Sequence, residues 1–121
     1  MRPRVVRPNL ESEFMTPEGC FILEAWNTDE DPSVSIVRAR VLPGVTTQLH
    51  SLDVDERYVI LSGTGEMQLG DPLDAVSVVP GDLVVIPAGT PQRIKNSGED
   101  DLVFQCVCSP RFRPESYRAL E

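Results

Sequence analysis

The chain has 121 residues, of which 40% are hydrophobic and 25% charged, as is ordinary for a globular domain. Its 19 acidic and 11 basic side chains give a formal net charge of −8, which argues against binding to a nucleic-acid backbone. No apolar run approaches the ~20 residues of a membrane helix, and residues 1–9 lack the apolar stretch of a secretory signal. We therefore expect one domain with no nucleic-acid partner and no membrane.

Short runs of apolar residues, alternating or continuous, are separated by Gly, Pro, Asp and Asn, a pattern typical of many short strands. The 11 prolines fall mostly between these runs and disfavour long helices. Only residues 114–121 are expected to form a helical turn or two. The spacing predicts an all-β antiparallel sandwich or barrel. The predicted strands are 20–26, 34–42, 46–50, 56–62, 65–69, 75–79, 83–86, 92–96 and 102–108.

The two ends of the chain differ from its middle in charge, because six of the arginines lie close to the termini. We expect residues 1–17 to form an N-terminal arm, 18–110 a barrel, and 111–121 a C-terminal tail. The arm could pair with the sheet edge of a second subunit, since open barrels leave strand edges to be covered. A homodimer is therefore predicted, and solvated tails are the alternative.

The three cysteines, Cys20, Cys106 and Cys108, cannot all pair with one another. Cys106 and Cys108 would point the same way on a strand, and their spacing is not that of a redox or zinc CxxC motif. We expect free thiols, a reducing compartment and therefore a cytoplasmic protein.

A first spaced signature starts in the middle of the chain. Gly44 is followed after five residues by His50, after one more by Leu52, after three by Glu56 and after six by Gly63. His50 is the only histidine of the chain. Glycine is placed where a strand must reverse within a few residues, which is the expected role of Gly63.

A second signature follows with similar regularity. Gly81 is followed after five residues by Pro87, after one by Gly89, after two by Gln92 and after three by Asn96. The Pro87–Gly89 corner would aim the next strand back across a barrel. Asn96 can bond its own turn before the following glycine.

Together the two signatures resemble the paired motifs of the cupin superfamily, and the segment Cys108-Ser109-Pro110-Arg111-Phe112 resembles the end of single-domain bacterial cupins. The resemblance implies a jelly-roll β-barrel (the double-stranded β-helix) with a site inside it. Metal-binding cupins usually supply two histidines and a glutamate from the first motif and a histidine from the second. The matching positions here are His50, Leu52, Glu56 and Gln92.

The predicted metal ligands are therefore His50, Glu56 and Gln92. One imidazole, one carboxylate and one amide oxygen favour manganese, iron(II) or magnesium over zinc. The alternative is a metal-free polar pocket in which these side chains bond one another or water. Strand parity places Tyr58 on the face of Glu56, and Ile94 and Asn96 on the face of Gln92.

Two functions from different classes remain open. In the first, the pocket acts on a small polar metabolite by isomerase, epimerase or related chemistry, with Glu56 and Tyr58 as the candidate catalytic residues. In the second, the protein is a non-catalytic, metal-free module that binds or senses a small molecule. Arg38 or Arg40 could reach into the pocket to pair an anionic ligand, unless both lie on the outer face. The sequence does not decide whether the protein is an enzyme.

Overall fold

A computed structural model describes all residues, 1–121, and consists of two antiparallel sheets with two short 3₁₀ turns, Leu10–Ser12 and Pro114–Ser116. No helix in it is long and apolar enough to cross a membrane. The strands are β1 (Phe14–Met15), β2 (Phe21–Trp26), β3 (Ser35–Val41), β4 (His50–Leu52), β5 (Asp55–Ser62), β6 (Gly65–Leu69), β7 (Asp74–Val78), β8 (Leu83–Ile86), β9 (Gln92–Asn96), β10 (Leu102–Ser109) and β11 (Tyr117–Ala119).

One sheet has six strands in the order β1-β2-β3-β10-β5-β8, and the other has five in the order β11-β4-β9-β6-β7. Every ladder is antiparallel, and strands that are distant in sequence lie side by side, as in β3-β10-β5. The inner faces of both sheets enclose a single main core, which includes Ile60, Met67, Ile94 and Phe104. This arrangement confirms the predicted all-β jelly-roll barrel.

The inward and outward faces follow the predicted alternation of side chains. On β9, Gln92, Ile94 and Asn96 are buried, while the intervening residues are half-buried or exposed. On β5, Glu56 and Tyr58 are buried with Ile60. Because successive strand side chains point to opposite faces, this register aims the candidate site residues of both motifs into the barrel.

The predicted strand 46–50 is wrong in its bounds, since β4 begins only at His50. Upstream, Thr46 forms an isolated bridge with Lys95. The Thr47 hydroxyl accepts the Ile94 N–H at 3.0 Å and so replaces a regular ladder bond. A side chain that bonds the backbone in this way competes with strand pairing.

The helical turn that the tail could form is present, but only at its start. Only Pro114–Ser116 forms a 3₁₀ turn, and the chain then enters β11, which pairs with β4. The open edge of β4 supplies the hydrogen bonds that a short isolated helix would lack. At the other end, β1 pairs with β2 of the same chain. Pairing of the 1–17 arm with a second subunit remains a prediction.

The turn at Gly63 requires glycine for two independent reasons. Its φ is +82°, a conformation that costs an L side chain free energy. A Cβ atom here would also lie 2.5 Å from the Asp101 carbonyl oxygen and 2.9 Å from the Leu102 Cα. Gly81 has a similar φ of +94°, but a Cβ atom there would meet nothing within 4 Å.

We predict that Gly63→Ala lowers the free energy of unfolding by more than about 2 kcal/mol, because strain and a backbone clash act together. The matched control, Gly81→Ala, suffers strain alone and should lose about 1 kcal/mol. Urea denaturation of both variants measures the difference. If both variants lose the same free energy of unfolding, the Asp101–Leu102 backbone must be able to move away from the added methyl group.

Candidate functional site

A cavity of about 530 Å³ opens into the barrel between the two sheets. More than half of the 21 residues that line it are hydrophobic. Among the few polar groups are His50 at the start of β4 and Glu56 on β5. An apolar enclosure of this size with a few polar groups is typical of small-molecule sites.

Glu56, Gln92 and Tyr58 form a buried hydrogen-bonded chain beside this cavity. The Tyr58 hydroxyl donates to Gln92 Oε1 at 2.8 Å, and Gln92 Nε2 donates to Glu56 Oε1 at 2.8 Å. The other carboxylate oxygen, Glu56 Oε2, has the Cys108 thiol at 3.8 Å. The structure thus brings together two of the three predicted metal ligands and the predicted catalytic tyrosine.

The Glu56 carboxyl is only 6% exposed, and its burial raises its pKa to about 7. The hydrogen bond from Gln92 opposes this rise, and the charge of nearby Glu18 adds to it. A carboxylic acid that titrates near neutral pH exists in both protonation states under ordinary conditions, so it can give or take a proton.

His50 lies opposite Gln92 in the β4–β9 register and is 3% exposed. Its Nδ1 lies 2.8 Å from the backbone carbonyl oxygen of Gln48. Because a carbonyl oxygen can only accept a hydrogen bond, Nδ1 carries a proton. In the neutral imidazole Nε2 then holds the lone pair, and Nε2 has no hydrogen-bond partner within the protein. The ring is further held by a stack on Tyr117, with centroids 4.7 Å apart and planes at 15°.

The arrangement of Gln92 bears on the predicted metal site. A cation between Glu56 and Gln92 needs the amide oxygen turned toward it, but the amide nitrogen faces Glu56 and the oxygen faces Tyr58. As arranged, the three side chains do not offer three free donor atoms to an ion, and no cluster of three His, Cys, Asp or Glu side chains does so. Metal binding by His50, Glu56 and Gln92 remains a prediction.

Tyr58 is packed as well as hydrogen-bonded. Its ring stacks on Phe104 with centroids 4.4 Å apart, and burial raises the pKa of its hydroxyl well above the usual range. The hydroxyl therefore stays protonated and holds Gln92 in place. A catalytic role for Tyr58 remains a prediction, and the geometry favours a positioning role.

Arg38 and Arg40 lie on the outer face of β3 and not in the cavity. The Arg40 guanidinium donates to Glu13 at 2.6 Å and to Asp101 at 3.0 Å, and Arg38 lies 3.6 Å from Glu13. The alternation along β3 explains this, because Val37 and Ala39 occupy the inner face. These arginines are thus held on the outside of the barrel.

Sequence reasoning missed three side chains that the structure places next to His50. Tyr117 stacks on the ring, and Glu18 Oε2 lies 4.0 Å from Nδ1. Gln48 accepts the bond from Nδ1 through its carbonyl and a bond from the Tyr117 hydroxyl at 2.6 Å through its side chain. Tyr117 lay in the segment expected to be helical, and no local motif marks Glu18 or Gln48.

The three cysteines are unpaired, as predicted, and all of them line the cavity. Burial raises the pKa of Cys20 and of Cys108 to about 12, so both remain thiols. Uncharged thiols add to the apolar wall.

A family model described as the cupin domain matches residues 37–108, a range that includes every site residue of the two motifs. The chain belongs to the cupin family. This cupin is also 32% identical to an uncharacterized protein of Methanocaldococcus jannaschii over 111 residues, which covers 89% of the chain and 87% of that protein.

Solved structures share the fold of this cupin. Oxalate decarboxylase from Bacillus subtilis superposes with a TM-score of 0.79 at 21% identity, over 98% of the chain but only 33% of the decarboxylase. The nucleoside dehydratase Pac13 superposes with a TM-score of 0.78 at 21% identity, over 98% of the chain and 92% of Pac13. Streptomyces Pac13 variants have also been solved with uridine. At these identities the likeness shows the fold alone.

The raised pKa of Glu56 predicts a dependence of stability on pH. Between its ordinary value of 4.5 and about 7, the folded protein binds more protons than the unfolded chain. The free energy of unfolding should therefore fall as pH rises through this window, by up to about 3 kcal/mol for this group. Glu56→Gln has no carboxyl at this position and therefore does not lose free energy of unfolding in this way. Its free energy of unfolding, compared with that of the unsubstituted protein, should increase as pH rises.

Urea denaturation of both proteins at about pH 5 and about pH 8 measures this difference. Glu99→Gln is the matched control, because it removes an exposed carboxylate and should follow the unsubstituted protein. The prediction is contradicted if Glu56→Gln and the unsubstituted protein differ in free energy of unfolding by the same amount at both pH values.

Proposed function

We propose that this cupin binds a small polar metabolite inside its barrel and catalyses proton transfer on it, as an isomerase, epimerase or dehydratase does. Glu56 and His50 are the acid–base groups in this proposal. The observation that carries it is the placement of a buried carboxyl with a pKa near 7 and an imidazole with a free Nε2 on the wall of one cavity. General acid–base catalysis is most effective when the pKa lies close to the working pH.

The hydrogen bonds around Glu56 separate the roles of its two oxygens. Gln92 holds Oε1, while Oε2 has only a weak thiol contact. In the proposed step, ionised Glu56 removes a proton through Oε2 from a carbon beside a carbonyl group. On an α-hydroxycarbonyl substrate the electron pair of the broken C–H bond moves toward the carbonyl oxygen and gives an enediolate. Glu56 then returns the proton to the former carbonyl carbon, while His50 Nε2 takes the proton of the substrate hydroxyl and gives it to the former carbonyl oxygen, so atoms and charge balance. Gln92, held by Tyr58, keeps the carboxylate oriented throughout.

His50 complements Glu56 through its fixed tautomer. With Nδ1–H bound to the Gln48 carbonyl, the lone pair on Nε2 can accept a hydrogen bond or a proton from a substrate hydroxyl. The Tyr117 stack keeps the imidazole plane fixed. A pre-oriented pair of proton-exchanging groups is the minimum that such chemistry needs.

The fold comparison supports the choice of compounds to test. Pac13, which this cupin matches over nearly its full length, is a nucleoside dehydratase. A cavity of about 530 Å³ lies within the range of roughly 300–1,000 Å³ typical of small-molecule pockets. Nucleosides and sugars are therefore the first candidates, and oxalate is a weaker one because this cupin spans only a third of oxalate decarboxylase.

Hydrogen–deuterium exchange provides a test that does not require the product to be identified. We predict that the protein, incubated in D₂O with a panel of aldoses, ketoses and nucleosides, replaces a carbon-bound proton of at least one compound, as followed by proton NMR. Glu56→Gln should lower that rate by about 100-fold or more, and the exposed control Glu99→Gln should leave it unchanged.

Compounds that bind without any exchange would contradict the catalytic proposal. That result would favour the second candidate, a non-catalytic module, whose support is that Glu56, Gln92 and Tyr58 satisfy one another without an ion. Exchange at the full rate in Glu56→Gln would exclude Glu56 as the base.

The predicted divalent metal is tested separately. If His50, Glu56 and Gln92 bind manganese or iron, purified protein reconstituted with either ion should hold it stoichiometrically, and His50→Ala and Gln92→Ala should each lose it. Leu52 lines the same cavity, so Leu52→His should raise the affinity by adding a nitrogen ligand. Elemental analysis measures all four proteins, and absence of metal after reconstitution would contradict metal binding.

The homodimer and the cytoplasmic location inferred from the sequence remain predictions.

A further inference from the structure

The ionisable side chains around the cavity carry charge of almost one sign. Three glutamates line it, namely Glu18, Glu24 and Glu56. His50 is the only basic side chain of the lining, which contains no lysine and no arginine. An anionic ligand would therefore face carboxylates without a guanidinium or an ammonium group to pair with.

Three arginines, on β3 and β9, are held outside the cavity by their own partners. Arg38 and Arg40 contact Glu13 on the outer face, and Arg93 contacts Gln68 at 2.6 Å and Glu121 at 3.8 Å. Turning one of them inward would break these contacts and bury a charge. These three arginines therefore do not neutralise the glutamates of the cavity.

One observation besides the glutamates points to a ligand in this place, and the position of Glu18 adds to it. His50 is only 3% exposed, and its Nε2 has no partner within the protein. The side chain of Glu18 is 21% exposed and lines the cavity beside His50. The nearest basic side chain is His50, whose Nδ1 lies 4.0 Å away, which is beyond a hydrogen bond. A half-buried carboxylate of this kind gains most from a cation brought by a ligand.

The remaining wall also suits a cation. Aromatic rings line the cavity, with Tyr117 beside His50 and Phe14 next to the segment that carries Glu18. The negative face of an aromatic ring attracts an ammonium group, most strongly where water is excluded. Glu24 lies exposed on the cavity lining, where its charge would attract a cation from solution.

We propose that the substrate of this cupin carries a protonated amine, which the Glu18 carboxylate binds, and that the cavity rejects anionic metabolites. This inference rests on the proposed function and specifies the charge of its ligand. Glu56 stays available for proton transfer, because Gln92 occupies only its Oε1 and its Oε2 has no more than a thiol contact.

The test uses sets of three compounds that share one skeleton and differ in charge. Suitable sets are tyramine, tyrosol and 4-hydroxyphenylacetate, and 5′-amino-5′-deoxyuridine, uridine and uridine 5′-monophosphate. Kd is measured by NMR titration, from the shifts of cavity-lining groups. In at least one set the amine should bind about tenfold more tightly than the alcohol, and the anion should bind most weakly.

Glu18→Gln keeps the shape of the side chain and removes its charge. It should abolish the preference for the amine over the alcohol, whereas the exposed control Glu99→Gln should retain it. The comparison is made within each variant, so a change in overall stability does not affect it.

Several results would overturn the inference: an anion that binds as tightly as its amine, a preference that survives in Glu18→Gln, or no shift from any compound. These results are distinct from failure of the proposed function. If Glu56→Gln loses deuterium exchange but no compound set shows a preference for the amine, the proposal that Glu56 transfers protons is supported. Only the proposal that the ligand is a cation is then refuted. An amine preference without exchange in any compound would support the cation site and refute catalysis.

Discussion

The site depends on one buried interaction, the 2.8 Å hydrogen bond from the Gln92 amide to the Glu56 carboxyl. A carboxylate loses its hydration when a barrel encloses it, which is costly unless another group compensates. Gln92 compensates only in part, because the amide is neutral, and the pKa of Glu56 settles near 7. A histidine or arginine in place of Gln92 would bring a charge and would hold the carboxyl ionised at lower pH.

The rest of the barrel supports this interaction in successive layers. Tyr58 fixes the amide oxygen of Gln92, and Phe104 fixes the ring of Tyr58. On β4, the strand next to β9, Tyr117 and the backbone carbonyl of Gln48 fix His50. Each polar group therefore has one defined orientation within an otherwise apolar wall. In the proposed mechanism, this preorganisation is what lets one imidazole and one carboxyl act together without many charged partners.

The barrel could be predicted from the sequence because its determinants are local. Glycines such as Gly63 mark turns that need a positive φ, and alternation along β5 and β9 decides which side chains face inward. The convergence of Glu56 and Gln92 was implied by the resemblance of the two motifs to those of cupins. The orientation of the Gln92 amide could not be predicted, because it depends on Tyr58, which is 34 residues away along the chain.

The missed parts of the site come from short segments that tertiary contacts determine. Strand β11 has three residues and no periodicity of its own, and only the free edge of β4 makes it a strand and brings Tyr117 onto His50. Glu18 reaches His50 because the Gln48 N–H donates to the Glu18 carbonyl at 2.9 Å, which joins two segments 30 residues apart. Neither contact leaves a pattern in the local sequence.

The most direct measurement of the central claim is the titration of the Glu56 side-chain carboxyl followed by carbon-13 NMR, with Glu56→Gln used to assign its resonance. The account predicts a midpoint near 7, because the group is enclosed and its partners are a neutral amide and uncharged thiols. A midpoint near 4.5, the ordinary value for a glutamate, would show that the carboxyl is hydrated and would contradict a proton-exchanging group inside the barrel.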